Sequence, residues 1–227
     1  MRKAQLIRLL AIAGAAAAIC SPALAAAPRE VAGATCNNPP RINFPQSNPI
    51  PGLVGAPGAA IEPKSGRKFF LDFPCDLKPG EKVVFILNLH GGGSIGNWQR
   101  HYFPAIDHKE KYRLVVATPT AATAEPSRRW VAEADDQYLQ DVSDLVIKAF
   151  GRRNIKSYWL AGHSQGGATS RRIVCSDYFK SKVDGFLSLS GGRLNPPNAP
   201  AGTLNARAAG AAPPAAPPPA APAALPA

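Results

Sequence analysis

The chain is poor in the residues that would point to metal or disulfide chemistry: its 227 residues include 4 cysteines, 4 histidines and 1 methionine. The cysteines, Cys20, Cys36, Cys75 and Cys175, fit no metal-ligand spacing, and no metal or cofactor motif accompanies them. No segment beyond the N-terminus reaches the ~18 consecutive apolar residues of a spanning helix, which argues against a membrane protein once the N-terminus is set aside. Acidic residues are few, 15 against 26 Lys and Arg. The basic residues are scattered in pairs, Arg128-Arg129, Arg152-Arg153 and Arg171-Arg172, without aromatic interleaving, which reads as a solvated basic surface and not a nucleic-acid site. The absence with the largest consequence is positional. No histidine follows His163, and the only acidic residues beyond that point are Asp177 and Asp184.

What is present begins with an export signature. Residues 1–25 carry Arg2, Lys3 and Arg8, then an apolar Ala/Ile/Leu region, then Ala23-Leu24-Ala25, the order of a cleaved signal peptide, so the chain is expected to be secreted or periplasmic. Cys20 follows Ile19 where a lipid-attachment site has a small residue, so lipidation is not expected. Cleavage leaves 23 basic against 15 acidic residues, a net charge of +8. It also leaves Cys36, Cys75 and Cys175, an odd set that permits one disulfide of undetermined pairing. Residues 26–66, rich in Pro, Gly and Asn, read as an irregular N-terminal arm, and 67–195 as the folded domain. The stretch 196–227 is an Ala/Pro-rich tail, with only Ala, Pro, Gly and Leu from residue 208 onward, a linker by composition.

Two apolar runs within the domain end in glycine motifs. Ser157 to Ala161 leads into Gly162-His163-Ser164-Gln165-Gly166-Gly167, a serine at a strand-to-helix turn whose flanking glycines let strand and helix pass closely. Lys82 to Leu89 ends in His90-Gly91-Gly92-Gly93, placed upstream as a loop donating backbone N–H groups to an oxyanion would be. The pattern predicts Ser164 as nucleophile, with Gln165 and either Gly92 or Gly93 as donors. Around them the spacing predicts a hairpin from Lys68–Phe73 and Lys82–Leu89, a helix over 97–112 despite Pro104, and a strand at 113–118. A helix over 135–150 follows on the apolar face Tyr138, Val142, Leu145, Val146 and Ala149, then strands at 156–161 and 183–190 around a helix from 165. Apolar, non-alternating strands interleaved with helices mean a largely parallel sheet covered by helices on both faces. Trp98 and Trp130 follow strands and are candidates for lining a substrate pocket or for ordinary packing.

The ordered set of HGGG loop, GxSxGG elbow and intervening helix near Asp135-Asp136 resembles the α/β-hydrolase superfamily, and within it the secreted esterases of the polyhydroxybutyrate depolymerase and feruloyl esterase type. The resemblance covers roughly residues 67–192. It implies an α/β-hydrolase fold and cleavage of a small ester or polyester through an acyl-enzyme on Ser164, with His90, Gly91, Gly162, His163 and Gly166 supporting the site. It implies no cofactor. Against the superfamily pattern, the chain order Ser, acid, His is not completed: neither Asp177 nor Asp184 is followed by a histidine, so triad acid and base are unassigned. The apolar strand VDGFLSLS also suits the middle of a sheet better than an edge. The expectation is an incomplete hydrolase domain without its last strands, with Asp and His coming from a C-terminal segment or partner chain. The alternative is a catalytically impaired fragment or a non-catalytic ester- or polymer-binding protein.

Overall fold

The computed structural model describes residues 28–39, 57–123 and 128–191. The expected signal peptide (1–25) and the Ala/Pro-rich stretch 196–227 lie outside the described residues, as does much of the expected N-terminal arm. The elements in chain order begin with a small hairpin, β1 (Glu30–Val31) and β2 (Ala34–Thr35), then β3 (Ala59–Ile61), β4 (Lys68–Asp72), β5 (Val83–Leu89), α1 (Gly96–Tyr102), α2 (Lys109–Tyr112) and β6 (Leu114–Pro119). They continue with α3 (Ala132–Phe150), β7 (Ile155–His163), α4 (Gln165–Val174), α5 (Asp177–Lys180) and β8 (Gly185–Leu189). The main sheet has six strands in the order β3-β4-β6-β5-β7-β8. Only β4 runs against its neighbours; β6, β5, β7 and β8 are parallel. This is the largely parallel sheet expected from the alternation of apolar strands and helices, and it agrees with the α/β-hydrolase fold that the motif resemblance implies.

One face of the sheet carries Phe85, Leu87, Tyr158 and Leu160, all fully buried, beneath α3 and α4. Phe85 stacks on Tyr158 with centroids 4.3 Å apart, and the Tyr158 hydroxyl meets Ser143 Oγ of α3 at 2.6 Å. The other face is covered by α1 over β4, β6 and β5. That helix is held by Arg100, which makes a two-pronged pair with Asp72 at 2.7 and 2.5 Å, both side chains fully buried. Since an uncompensated buried charge costs several kcal/mol, this pair pins α1 to β4 in one register.

Three expectations are corrected. β4 and β5 do not form a hairpin: β4 pairs antiparallel with β6, and β5 lies on the far side of β6, between it and β7. The helix expected over 97–112 is broken, α1 ending before Phe103 and a 3₁₀ turn (Ala105–His108) preceding α2, because Pro104 has no N–H to donate and its ring clashes with the preceding turn. Within the stretch read as irregular arm, Ala59–Ile61 forms the edge strand β3 and residues 36–38 dock on the domain. Cys36 is bonded to Cys75, Asn37 accepts from Arg100, and Asn38 accepts from Lys109. Cys175 is the free thiol.

Candidate active site

Ser164 lies between β7 and α4 at φ 49° and ψ −114°, a backbone conformation that costs a non-glycine residue about 1–3 kcal/mol. Its surroundings over-determine it. The Ser164 N–H donates to Leu189 O of β8 at 2.8 Å, and its carbonyl accepts from Ala168 N–H of α4 at 3.1 Å. A Cβ on Gly162 would come within 2.3 Å of the Gly166 backbone, and one on Gly166 within 2.2 Å of Leu89 O, so these glycines let β7, α4 and β5 converge beneath the serine. The result is an exposed Ser164 side chain at the carboxyl ends of the parallel strands.

The glycine loop after β5 reaches the same point. A Cβ on Gly91 would lie 3.4 Å from Ser164 Cβ and 2.9 Å from His163 Nδ1; one on Gly92 would lie 3.4 Å from Gln165 Oε1. Gln165 is the first residue of α4, so its N–H has no acceptor within the helix and sits at the positive end of the helix dipole. Gly93 is different. Its N–H donates to Arg128 O at 2.7 Å, so of the two glycines named as alternative donors, Gly93 is spent on holding the loop and Gly92 is the one positioned over α4.

His90 explains how the loop is held. Its ring is fully buried; Nε2 accepts the Ala121 N–H at 3.0 Å, which leaves Nδ1–H to donate to Gly91 O at 2.6 Å. Burial lowers its pKa from 6.5 to about 4, so the ring is neutral, as both contacts require. Trp130 stacks against it with centroids 4.7 Å apart, donates its indole N–H to His90 O at 2.8 Å, and donates its backbone N–H to Gln165 Oε1 at 3.2 Å. Trp130 is therefore a strut joining the glycine loop to the elbow, and its 5% exposure leaves it no substrate surface. Beneath it, fully buried Asp135 accepts from Ala122 N–H, Val131 N–H and Arg67 Nη2 at 3.0, 2.8 and 2.7 Å. Sequence reasoning placed Asp135 at a helix start, but the network around it joins residues far apart in the chain and has no local signal.

The remaining histidines and acids are dispersed. His163 turns to the α1 side, where its ring is 4.4 Å from Tyr102, itself stacked on Trp98 at 4.4 Å. Burial lowers the His163 pKa. His101 is buried in α1, its pKa lowered to about 4 chiefly by desolvation, and His108 is exposed against Tyr112. Asp184 accepts the Tyr158 N–H at 2.8 Å, and Asp177 pairs with Lys180 on the surface. Among the described residues, no histidine or carboxylate hydrogen-bonds the Ser164 hydroxyl. The structure brings together the candidate nucleophile and the candidate donors and, among the described residues, assembles no acid or base with them.

No protein-family model and no curated protein matches this chain. Several solved structures are similar to it in part. Fluorophosphonate-binding serine hydrolase F of Staphylococcus aureus is 18% identical over 55% of this chain and 51% of its own, with a TM-score of 0.42. Esterase 2 of Thermogutta terrifontis, phosphonylated by cyclosarin, is 14% identical over 65% of this chain and 60% of its own, with a TM-score of 0.47. A soluble variant of monoglyceride lipase from Saccharomyces cerevisiae is 18% identical over 54% of this chain and 41% of its own, with a TM-score of 0.43. The chain thus spans about half the length of such structures, and the likeness is one of fold, so the chemistry of the site rests on its own geometry.

Proposed function

We propose that this chain is a serine hydrolase acting on carboxylic esters, with Ser164 as nucleophile. The observation that carries the reading is the strained, over-determined turn at Ser164 with the Gly91-Gly92 loop packed on it and the first N–H of α4 beside it. In this reading Ser164 Oγ attacks the ester carbonyl and loses its proton to a base. The carbonyl oxygen takes up the negative charge and receives hydrogen bonds from Gln165 N–H and Gly92 N–H. Expulsion of the alcohol leaves an acyl-Ser164 ester, which water hydrolyses to the acid and free serine. By motif the proposal extends to a secreted or periplasmic esterase of the polyhydroxybutyrate depolymerase or feruloyl esterase type, acting on a small ester or polyester. The triad Asp and His are proposed to come from a further C-terminal segment or a partner chain.

The absence of a described base or acid at Ser164 favours a second reading, a catalytically impaired or purely ester-binding protein. Loss of a triad base costs on the order of 10⁶ in turnover while leaving about 10³ from oxyanion stabilisation and binding, so the two readings separate widely. The test is intact-mass spectrometry of the chain after fluorophosphonate treatment, with Ser164→Ala alongside and folding checked by circular dichroism. An adduct on the native chain and none on Ser164→Ala supports the hydrolase. A folded chain that stays unlabelled, yet binds an ester analogue equally well with Ser164→Ala, supports the second reading.

A further inference from the structure

The α1 face of the sheet is covered only in part. Among the described residues, none covers it over β7 and β8: Trp159 is 40% and Leu187 39% exposed, although both belong to parallel strands whose opposite face is under α4. With Val84, Ile86, Ala161 and Phe103 they line an open apolar hollow of ≈ 200 Å³. The Trp159 ring lies over Gly185, where a Cβ would sit 2.3 Å from it, so the glycine leaves the indole room to lie there. Parallel sheets are ordinarily covered on both faces, and a contiguous apolar patch of this kind marks an interaction surface.

We infer that the chain's own residues 208–227 dock on this bare face. These twenty residues carry no charged side chain and consist of Ala, Pro, Gly and Leu, which matches a hollow lined only by apolar groups and disfavours a charged partner. Their prolines fall in PxxP spacing, Pro214 with Pro217 and Pro219 with Pro222. At the three residues per turn of a polyproline II helix, Pro219, Pro222 and Leu225 share one ridge, the shape that aromatic-lined grooves accept without a large ordering cost. The geometry permits it. The chain leaves β8 at Gly191, only four residues beyond Leu187, or ~13 Å along a strand, and sixteen residues separate Gly191 from Ala208. Tethering over so short a span gives an effective concentration on the order of mM, so even a weak intrinsic affinity suffices, and a second copy of the chain competes at a disadvantage.

The experiment uses the full chain with Ala221→p-benzoylphenylalanine, mixed as light and ¹⁵N-labelled protein, irradiated, digested and mapped by mass spectrometry. Docking predicts light-light and heavy-heavy crosslinks to peptides holding Phe103, Trp159 or Leu187. Pro219→Ser, Pro222→Ser and Leu225→Ser together should lower the yield about fivefold or more, the equivalent of about 1 kcal/mol. Folding of that triple variant is checked by circular dichroism, so that a lowered yield is read only from a folded chain. Leu187→Lys, checked by circular dichroism, should lower the yield similarly. Light-heavy crosslinks at the same peptides would show that a second copy covers the face and overturn the inference. Absence of crosslinks to these peptides would overturn it too. Neither outcome depends on whether Ser164 is catalytic.

Discussion

Replacing His90 by alanine tests the claim that one neutral imidazole organises the glycine loop. The ring is fully buried, bonds both Gly91 O and the N–H of Ala121, 31 residues further along the chain, and supports Trp130. Gly91 O keeps a second donor in Ser94 N–H at 3.2 Å, so its loss is partial. The Ala121 N–H has none and becomes an unpaired buried donor, at about 1–3 kcal/mol. Truncation of a packed ring leaves a cavity costing about 2 kcal/mol more, giving about 3–5 kcal/mol in all. For a domain of this size that is a fall in Tm of roughly 10–15 °C. Urea unfolding followed by circular dichroism measures it, with His108→Ala as control, since an exposed site should stay within about 0.5 kcal/mol. A His90→Ala penalty below about 1 kcal/mol, or one equal to the control, would refute the reasoning.

Acid should destabilise the protein in a defined window. His90 and His101 each have a folded pKa lowered from 6.5 to about 4, so as pH falls below 6.5 the unfolded chain binds their protons first. The stability they confer is complete above pH 6.5 and is lost towards pH 4, at most about 3 kcal/mol for His90 and less for His101, whose surroundings screen it more; urea midpoints that do not change between pH 7 and 4.5 would contradict this. Gly166→Ala, whose Cβ meets Leu89 O at 2.2 Å, should lower stability by about 1–3 kcal/mol or more and displace the elbow, whereas Gly92→Ala, whose Cβ comes no nearer than 3.4 Å to the Gln165 side chain, should change it by less than about 1 kcal/mol. Thermal melts of the two variants decide whether the convergence of β5, β7 and α4 is as tight as described. Reduction of Cys36–Cys75, which closes a separation of 39 residues, should cost about 4 kcal/mol, and amide exchange at residues 36–38 should rise; unchanged melts with and without reductant would show that the arm contributes nothing to the domain.

The strands were legible because β5, β6, β7 and β8 are apolar runs long enough to rise above local composition, and α3 because its apolar residues recur at helical spacing. The three-residue β3 is too short to carry a period, and its strand character comes from pairing with β4. The β4 register was illegible for a related reason. A turn between two apolar runs suggests a hairpin, but β4 is paired by β6, more than forty residues later, and nothing local encodes that partner.

At the site, the sequence alone determined that Ser164 stands at a strand-to-helix turn and that a glycine loop precedes it, since glycine spacing is a local requirement of tight backbone approach. It also determined that no histidine follows Ser164. Only the tertiary structure decided which glycine amide is left over the helix, because Gly93 donates to Arg128, and that Trp130 is a strut and not a pocket wall. The same holds for the fully buried Asp72–Arg100 pair and the bare face at Trp159 and Leu187. Hydrogen-bond partners and burial are set by residues distant in the chain, so they become readable only once the sheet has brought those residues together.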